Sequence, residues 1–401
     1  MANLKLSLAK DLARHLRAGH PWVFKQALVQ VPKLPAGAIV DIVDKGRFVA
    51  RGYFDPHSAI CVRVLTRDEA ETVDGAFFRR RIARALALRE TLLERRETDA
   101  YRLVHGEADG LPGVIVDLYS SWAVIKLYSA GLTPHREAIL SALRAVVPSL
   151  KGIVGRDELD REDLEGDAAP GRMLWGEKAP ETVAIRENGV RFLVDLYAGQ
   201  KTGFFLDQRD NRRLVRDLAQ GREVLNCYAY TGGFSVNAAL GGAKQVTSVD
   251  LDEDTIALCR QNFKENGLSA EAHDFLASDV LETLKTFAAQ GRTFDLVILD
   301  PPAFAKSQKA VDAAVSGYAS LNRVALSVLK EGGLLCTASC TARVSAEQFF
   351  DAVKEAAFKA EVDLQLVHQR FQPPDHPVLL QFGQGKYLKF FVLRRTSEPR
   401  A

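Results

Sequence analysis

Val224-Leu225-Asn226-Cys227-Tyr228-Ala229-Tyr230-Thr231-Gly232-Gly233-Phe234-Ser235 reads as a short apolar strand, a glycine turn and the opening of a helix. In open α/β sheets, ligands settle outside the carboxyl ends of such strands. The turn lacks the G-x-G-x-x-G spacing of dinucleotide folds, and no G-x-x-x-x-G-K-[ST] stretch is present to cradle a triphosphate. The next predicted strand, 245–249, runs into Asp250, 24 residues after Asn226. A carboxylate at that place accepts hydrogen bonds from ribose hydroxyls. A Gly-Gly turn alone is an ordinary loop. With Asp250 at that interval it reads as a cofactor site.

Strands and helix-compatible stretches keep alternating from about residue 186, with strands predicted at 223–226, 245–249, 294–299 and 333–338. Such alternation implies a parallel sheet with right-handed crossovers. The last two predicted strands, 364–371 and 387–393, have a 15-residue loop between them and no helix, so they pair antiparallel. A doubly wound sheet finished by an antiparallel hairpin is the architecture of class I methyltransferases. Three strand ends carry chemistry. Phe294-Asp295-Leu296-Val297-Ile298-Leu299 delivers Asp300, and Pro301-Pro302-Ala303-Phe304 rigidifies the exit. Asp279, in Ala277-Ser278-Asp279-Val280, either meets an adenine amino group or caps the helix that follows, and the two roles are compatible. In Leu334-Leu335-Cys336-Thr337-Ala338-Ser339-Cys340-Thr341, Cys336 lies inside the strand as a packing residue. Cys340 lies past its end, on the side where Asp300 emerges.

Upstream, residues 1–75 hold short β-rich runs around 38–43, 48–54 and 59–65 with turns at Lys45-Gly46 and Asp55-Pro56, a length that suits a small barrel. Residues 76–185 read as a central α+β domain. From Asp74 to about Leu93 the period becomes helical, with apolar Phe77, Ile82, Leu86 and Leu88 beside basic Arg79, Arg80, Arg81 and Arg84. A hairpin-like pair, 113–118 and 122–127, follows, and 157–167 is a strongly charged loop. Residues 186–401 form the third domain.

The 401-residue chain is 47% hydrophobic and 26% charged, which excludes fibrous, disordered and disulfide-scaffold classes. Lys+Arg 53 against Asp+Glu 51 gives a net charge of +2, so any nucleic-acid surface must be local. The five cysteines, Cys61, Cys227, Cys259, Cys336 and Cys340, form no C-x-x-C pair and no zinc spacing, which suits a reducing compartment and no metal. The charged N-terminal stretch lacks a signal core, and no apolar run approaches the roughly 18 residues of a membrane span. The expectation is a soluble, cytoplasmic protein without a membrane partner.

Longer motifs complete the pattern: Gly19-His20-Pro21-Trp22-Val23-Phe24, Tyr101-Arg102-Leu103-Val104-His105-Gly106-Glu107-Ala108-Asp109-Gly110-Leu111-Pro112-Gly113, and Gln200-Lys201-Thr202-Gly203-Phe204-Phe205-Leu206-Asp207-Gln208-Arg209. Asp375-His376-Pro377 and Ser339-Cys340-Thr341 join them. With Asp300-Pro301-Pro302-Ala303-Phe304, the chain resembles, over essentially its full length, the PUA-domain-containing 23S ribosomal RNA cytosine-C5 methyltransferases. The resemblance implies a PUA-type RNA-binding barrel at the N-terminus, S-adenosyl-L-methionine as cofactor and 23S ribosomal RNA as partner, and it is compatible with a homodimer. It places Lys201, Thr202, Gly203, Asp207, Asn226, Tyr228, Thr231, Gly232, Gly233, Asp250, Asp279 and Asp300 around the cofactor. Pro301, Pro302, Phe304, His376, Arg79 and Arg80 fall toward RNA, the two arginines as phosphate contacts. Two departures matter. Asn226 stands where the first-strand acid is usual, and Pro302-Ala303 stands where many RNA cytosine-C5 enzymes carry a second cysteine. That leaves Cys340 as nucleophile and Asp300 as its catalytic partner, with the base that removes the C5 proton unidentified. Two other readings compete: methylation of guanine N2, which needs no thiol, and an RNA-binding protein that has lost catalysis.

Overall fold

The computed structural model describes residues 3–9, 11–156, 171–305 and 308–396, and the charged stretch 157–167 lies outside them. The chain divides into two compact units. The first comprises Met1–Arg186, Val194–Leu206 and Pro374–Gly385; the second comprises Glu187–Leu193, Asp207–Pro373 and Lys386–Ala401.

In the first unit, β1 (Leu4–Ser7), β2 (Trp22–Phe24), β3 (Ile39–Asp44), β4 (Arg47–Phe54) and β5 (Ile60–Thr66) form a sheet of order β1-β3-β4-β5-β2, and α1 (Ala13–Ala18) packs on it. The two edge strands do not stay open. Beyond them Leu8 bridges Leu28, with Ala9 donating to Ala27 and Val29 to Ser7, so the sheet closes on itself around Val23, Val40, Ile42, Phe54 and Val62. This is the small barrel expected from the short β-rich runs.

A second sheet of the same unit has the order β10-β9-β8-β7-β6. Its strands are β6 (Ala100–His105), β7 (Val114–Tyr119), β8 (Trp122–Leu127), β9 (Gly152–Gly155) and β10 (Arg172–Gly176). Ser120, with φ 57°, and Ser121 make the two-residue turn between β7 and β8. Helices α2 (Gly75–Leu92) and α3 (Arg136–Val146) pack against each other, and α2 starts where the Asp74 carboxylate accepts from the Phe77 amide at 2.8 Å. The buried stripe of α2 is Phe77, Phe78, Ile82, Ala85 and Arg89. Leu88 is 39% exposed, contrary to the periodicity read from sequence, because the inward position belongs to Arg89.

Where the chain passes between units lie β11 (Val183–Glu187) and β12 (Val190–Val194). The second unit then builds a seven-stranded sheet from β13 (Glu223–Cys227), β14 (Gln245–Asp250), β15 (Asp274–Ala277), β16 (Phe294–Leu299), β17 (Leu329–Ser339), β18 (Leu364–Arg370) and β19 (Lys389–Arg395). The order is β15-β14-β13-β16-β17-β19-β18. The first five strands run parallel, and β19 lies antiparallel to both β17 and β18. Parallel neighbours need crossovers, and α5 (Gly233–Leu240), α6 (Glu253–Glu265), α7 (Val280–Ala289) and α8 (Val311–Leu326) supply them. Helix α4 (Arg209–Leu218) precedes β13, and α9 (Ala346–Lys359) packs beside α8. The reversal of strand order between β13 and β16 opens the crevice at the carboxyl ends.

Candidate active site

The turn from β13 to α5 is conformationally unusual. Tyr228 and Tyr230 have φ of 59° and 49°, and Gly232 has 84°. Non-glycine residues in that region carry strain, and such strain persists only where the surroundings fix it. Here the Ala229 amide donates to the Val249 carbonyl, the Tyr230 amide to Asp250 Oδ2 at 2.8 Å, and Asn262 Nδ2 to the Thr231 carbonyl at 2.8 Å. A Cβ on Gly232 would lie 2.4 Å from Cys259 Sγ, so the turn sits flush on α6. The Thr231 hydroxyl is buried and has no hydrogen-bond partner among the described residues.

Asp250 is half-buried, and among the described residues its carboxylate meets, besides the Tyr230 amide, only the Asp252 amide, at a long 3.4 Å. A carboxylate has about four acceptor sites, so it retains capacity for a diol. Asp279 caps α7, accepting from the Glu282 amide at 2.9 Å, and stays exposed. Both acids face Tyr228, whose phenol is pushed up by burial first and then by Cys227, Asp279 and Asp250. Asn226, by contrast, is fully buried: its amide donates to Ser235 Oγ at 2.8 Å, which also receives Ser248 Oγ, inside the β13–α5–β14 packing.

At the end of β16, Asp300 accepts from Gln208 Nε2 at 2.9 Å, and Gln208 is itself held by Asn211 Nδ2 at 2.6 Å. Gln208 lies within the Gln200–Arg209 motif, but its partner is 92 positions away, a pairing that neighbouring residues do not signal. The neighbouring Asp207 is buried and accepts from the Tyr387 hydroxyl at 2.7 Å. Pro301 is buried and Pro302 exposed. Phe304 stacks on Tyr318 with centroids 4.6 Å apart, so one ring face is already committed to packing.

Thr341 joins this exit to the cysteine loop. Its hydroxyl accepts from the Phe304 amide at 3.2 Å and pairs with the Tyr318 hydroxyl at 2.8 Å. Cys340 precedes it and is half-buried, whereas Cys61, Cys227, Cys259 and Cys336 are all buried. Burial pushes the Cys336 and Cys259 thiols up to about 12. The Tyr318 phenol is raised by burial, and Cys340 and Asp300 both add to that rise, so the two groups face one tyrosine.

Lys201, Thr202, Gly203, His376, Arg79 and Arg80 belong to the first unit. Lys201 holds its ammonium 4.4 Å over the Phe205 ring. Gly203 has φ 131°, and a Cβ there would meet Val194 at 2.8 Å. Thr202 is buried, donating to Asp117 Oδ2 at 2.6 Å and meeting the Tyr119 hydroxyl at 2.9 Å. Asp117 also takes both arms of Arg102 at 2.8 Å. Arg102 reaches His105 Nδ1 at 3.2 Å, and its amide donates to Asp375 Oδ2. Arg89, fully buried, forms a bidentate pair with Asp109 at 2.6 and 2.8 Å and donates to the Asp375 carbonyl. His376 is 2% exposed, its Nδ1 lies 3.2 Å from Asp375 Oδ1, and its ring is 5.2 Å from His105. The structure therefore places His376 inside a buried polar network, not on a surface open to substrate as the sequence suggested. Arg80 pairs with Glu71 at 3.1 Å, whereas Arg79 has no ion-pair partner among the described residues.

Among the described residues no cluster of His, Cys, Asp or Glu could hold a metal ion, and no helix is long and apolar enough to cross a membrane.

Residues 103–390 match the family model of S-adenosylmethionine-dependent methyltransferases, and residues 6–67 match a PUA-like domain. The chain is 38% identical to ribosomal RNA large subunit methyltransferase I of Escherichia coli O139:H28 over 394 residues, covering 98% of this chain and 99% of that one. The enzyme of the same name from Shigella dysenteriae serotype 1 gives the same figures. A solved structure described as a SAM-dependent methyltransferase from Streptococcus mutans superposes with a TM-score of 0.85 at 27% identity, over 98% of this chain and 100% of that one. The SMU.776 methyltransferase complexed with SAH matches equally.

Proposed function

The chain belongs to the S-adenosylmethionine-dependent methyltransferases, in the family of ribosomal RNA large subunit methyltransferase I, and from that premise we propose that it methylates C5 of a cytosine in 23S ribosomal RNA through a covalent Cys340 adduct. The observation that carries the cytosine reading is Cys340 itself: the single half-exposed thiol of five, on a loop hydrogen-bonded through Thr341 to the chain leaving Asp300. Methylation of an exocyclic amine has no use for that sulfur.

The residues of the turn fit the cofactor. Asp250 accepts from the ribose hydroxyls, Asp279 retains one carboxylate oxygen beyond its cap for the adenine amino group, and the buried Thr231 hydroxyl supplies a polar contact beneath. When bound, the cofactor supplies an electrophilic methyl group. The protein's own part is to make C5 nucleophilic. The Cys340 thiolate adds to C6, and the ring π-electrons shift through C4 to N3, where Asp300 shares a proton with the developing charge. The pair then returns through C4 and makes C5 the nucleophile toward the methyl group that the bound cofactor would supply, with the cofactor's sulfur as leaving group. Loss of the C5 proton to a base re-forms the C5–C6 double bond and expels the Cys340 thiolate. Gln208 fixes the Asp300 carboxylate for this work. Access of sulfur to C6 requires an unstacked nucleotide, and the N-terminal barrel with Arg79 is the first unit's contribution to holding RNA.

Incubation with methyl-labelled cofactor and deproteinised large-subunit ribosomal RNA, followed by nucleoside analysis, tests the reading. Labelled 5-methylcytidine is the expected product, and labelled N2-methylguanosine would transfer the chain to the amine methylation reading. Two binding predictions accompany it. Asp250→Ala should weaken the cofactor by about 1–3 kcal/mol, the range for hydrogen bonds to a charged group, in calorimetric titration. Unchanged affinity removes Asp250 from the site. Gly232→Ala should cost about 1–3 kcal/mol of the same affinity, because an alanine there must abandon φ 84° or displace Cys259. Retention of full affinity would show that the turn tolerates rearrangement.

A further inference from the structure

Lys389 opens β19 at the register position opposite Ser339, the last residue of β17. Sequence patterning leaves it as one charge in an otherwise hydrophobic run, Leu388-Lys389-Phe390-Phe391-Val392, and the structure buries it to 2% exposure. An ammonium has three donors, and here each meets a backbone carbonyl: Thr341 at 2.7 Å, Val344 at 2.8 Å and Tyr387 at 2.8 Å. No carboxylate stands among its hydrogen-bond partners in the described residues. A buried charge without a counter-charge is costly, and an aliphatic residue would fill the strand position without that cost. What the charge touches is informative. Two of its three carbonyls belong to the turn that begins directly after Cys340.

We propose that Lys389 is a positioning residue for the covalent step: its ammonium clamps the Thr341–Val344 turn that presents Cys340 and holds a positive charge beside the attacking thiolate. The inference rests on the reading of Cys340 as nucleophile. Electrostatics agree with the geometry, because burial lowers the Lys389 ammonium to about 8 while Cys340 pulls it back up. The other charged or titratable groups at this corner are the exposed Arg343 in the turn itself, Tyr318 from α8 through Thr341, and Asp300 from the end of β16 through Tyr318. A cation next to a cysteine favours its reactive thiolate.

The test is iodoacetamide alkylation of the intact protein without RNA, read by peptide mass spectrometry. The four buried cysteines report on folding in the same spectrum. In the unaltered protein, Cys340 alkylation should reach half its maximal rate below the ordinary thiol value of about 8.5. Lys389→Met should slow Cys340 alkylation at pH 7.5 by about tenfold, the factor for one unit in thiolate titration. The same variant should lower kcat for methylation at unchanged KM for the cofactor. Lys389→Arg, which keeps the charge, should recover part of both rates. A folded Lys389→Met protein with an unchanged alkylation profile overturns the proposal. If the variant exposes the other cysteines, the unaltered protein decides alone, and a midpoint at or above 8.5 overturns it. Activity in Cys340→Ala would instead defeat the cytosine reading, leaving the alkylation comparison intact.

Discussion

Cys340→Ala should abolish methylation while leaving cofactor affinity within experimental error of the unaltered protein. Without the thiolate, C5 of cytosine has no enamine character, and loss of a covalent nucleophile removes a whole reaction path. A fall of about 10³-fold or more in kcat is the scale set by removing catalytic nucleophiles elsewhere. Cys336→Ala is the natural control, because Cys336 is fully buried within β17 and contributes packing only. RNA carrying 5-fluorocytosine sharpens the contrast. Fluorine at C5 blocks the final elimination, so a covalent protein–RNA adduct should accumulate with the unaltered protein and with Cys336→Ala, and vanish with Cys340→Ala. An active Cys340→Ala enzyme defeats the mechanism.

The largest stability effect is expected in the first unit. Asp109→Ala leaves the Arg89 guanidinium, 0% exposed, without its bidentate partner, and also strips the acceptor from the His105 amide. Breaking a buried pair from one side costs about 3–5 kcal/mol, because the surviving charge is stranded. Trp22, Trp122 and Trp175 are all three tryptophans of the chain and all lie in this unit, so denaturant unfolding followed by tryptophan fluorescence reads it selectively. The double variant Arg89→Met with Asp109→Leu should be far less damaged than Asp109→Ala. Equal loss in both would mean that the packing, not the charge pair, carries the stability. A pH dependence belongs to the same network. Burial first, and then Arg102, holds the His105 imidazole well below its usual range, so it stays neutral when folded. The unfolded chain takes up that proton near pH 6.5, so stability is full above this pH and declines as pH falls below it.

How far the sequence could be read differs between the two units for a physical reason. The second unit announces itself through local patterns: apolar strands, glycine turns and carboxylates at strand ends, each a matter of adjacent residues. Asp250, Asp279 and Asp300 are legible at the ends or exits of strands because each stands where a short strand-forming run gives way to polar and turn residues. Thr202, His376 and Arg89 were not legible in the same way. Their partners lie far along the chain, 85 residues for Thr202 and Asp117, and 286 for Arg89 and Asp375. Side-chain pairing over such separations leaves no periodic trace. The motif stretches around Tyr101–Gly113, Lys201–Gly203 and Asp375–His376 looked like separate signatures, and folding makes them one polar network. Lys389 and Gln208 left a faint trace, a lone charge in a hydrophobic strand and a polar residue beside an acid, but what each one does rests on partners distant in sequence.

The bridge between Leu8 and Leu28 has a consequence for how the N-terminal barrel meets other molecules. A sheet with a free margin offers unpaired amides and carbonyls, an invitation to strand addition by a peptide or by a second misfolded chain. Where the two margins meet, at Ser7–Ala9 and Ala27–Val29, that invitation is withdrawn. What remains for recognition is the outer wall: side chains and loop backbone, read by shape and charge. A partner that binds by extending a sheet finds no purchase there. A partner that reads shape and charge rather than backbone edges is the kind that such a wall can meet.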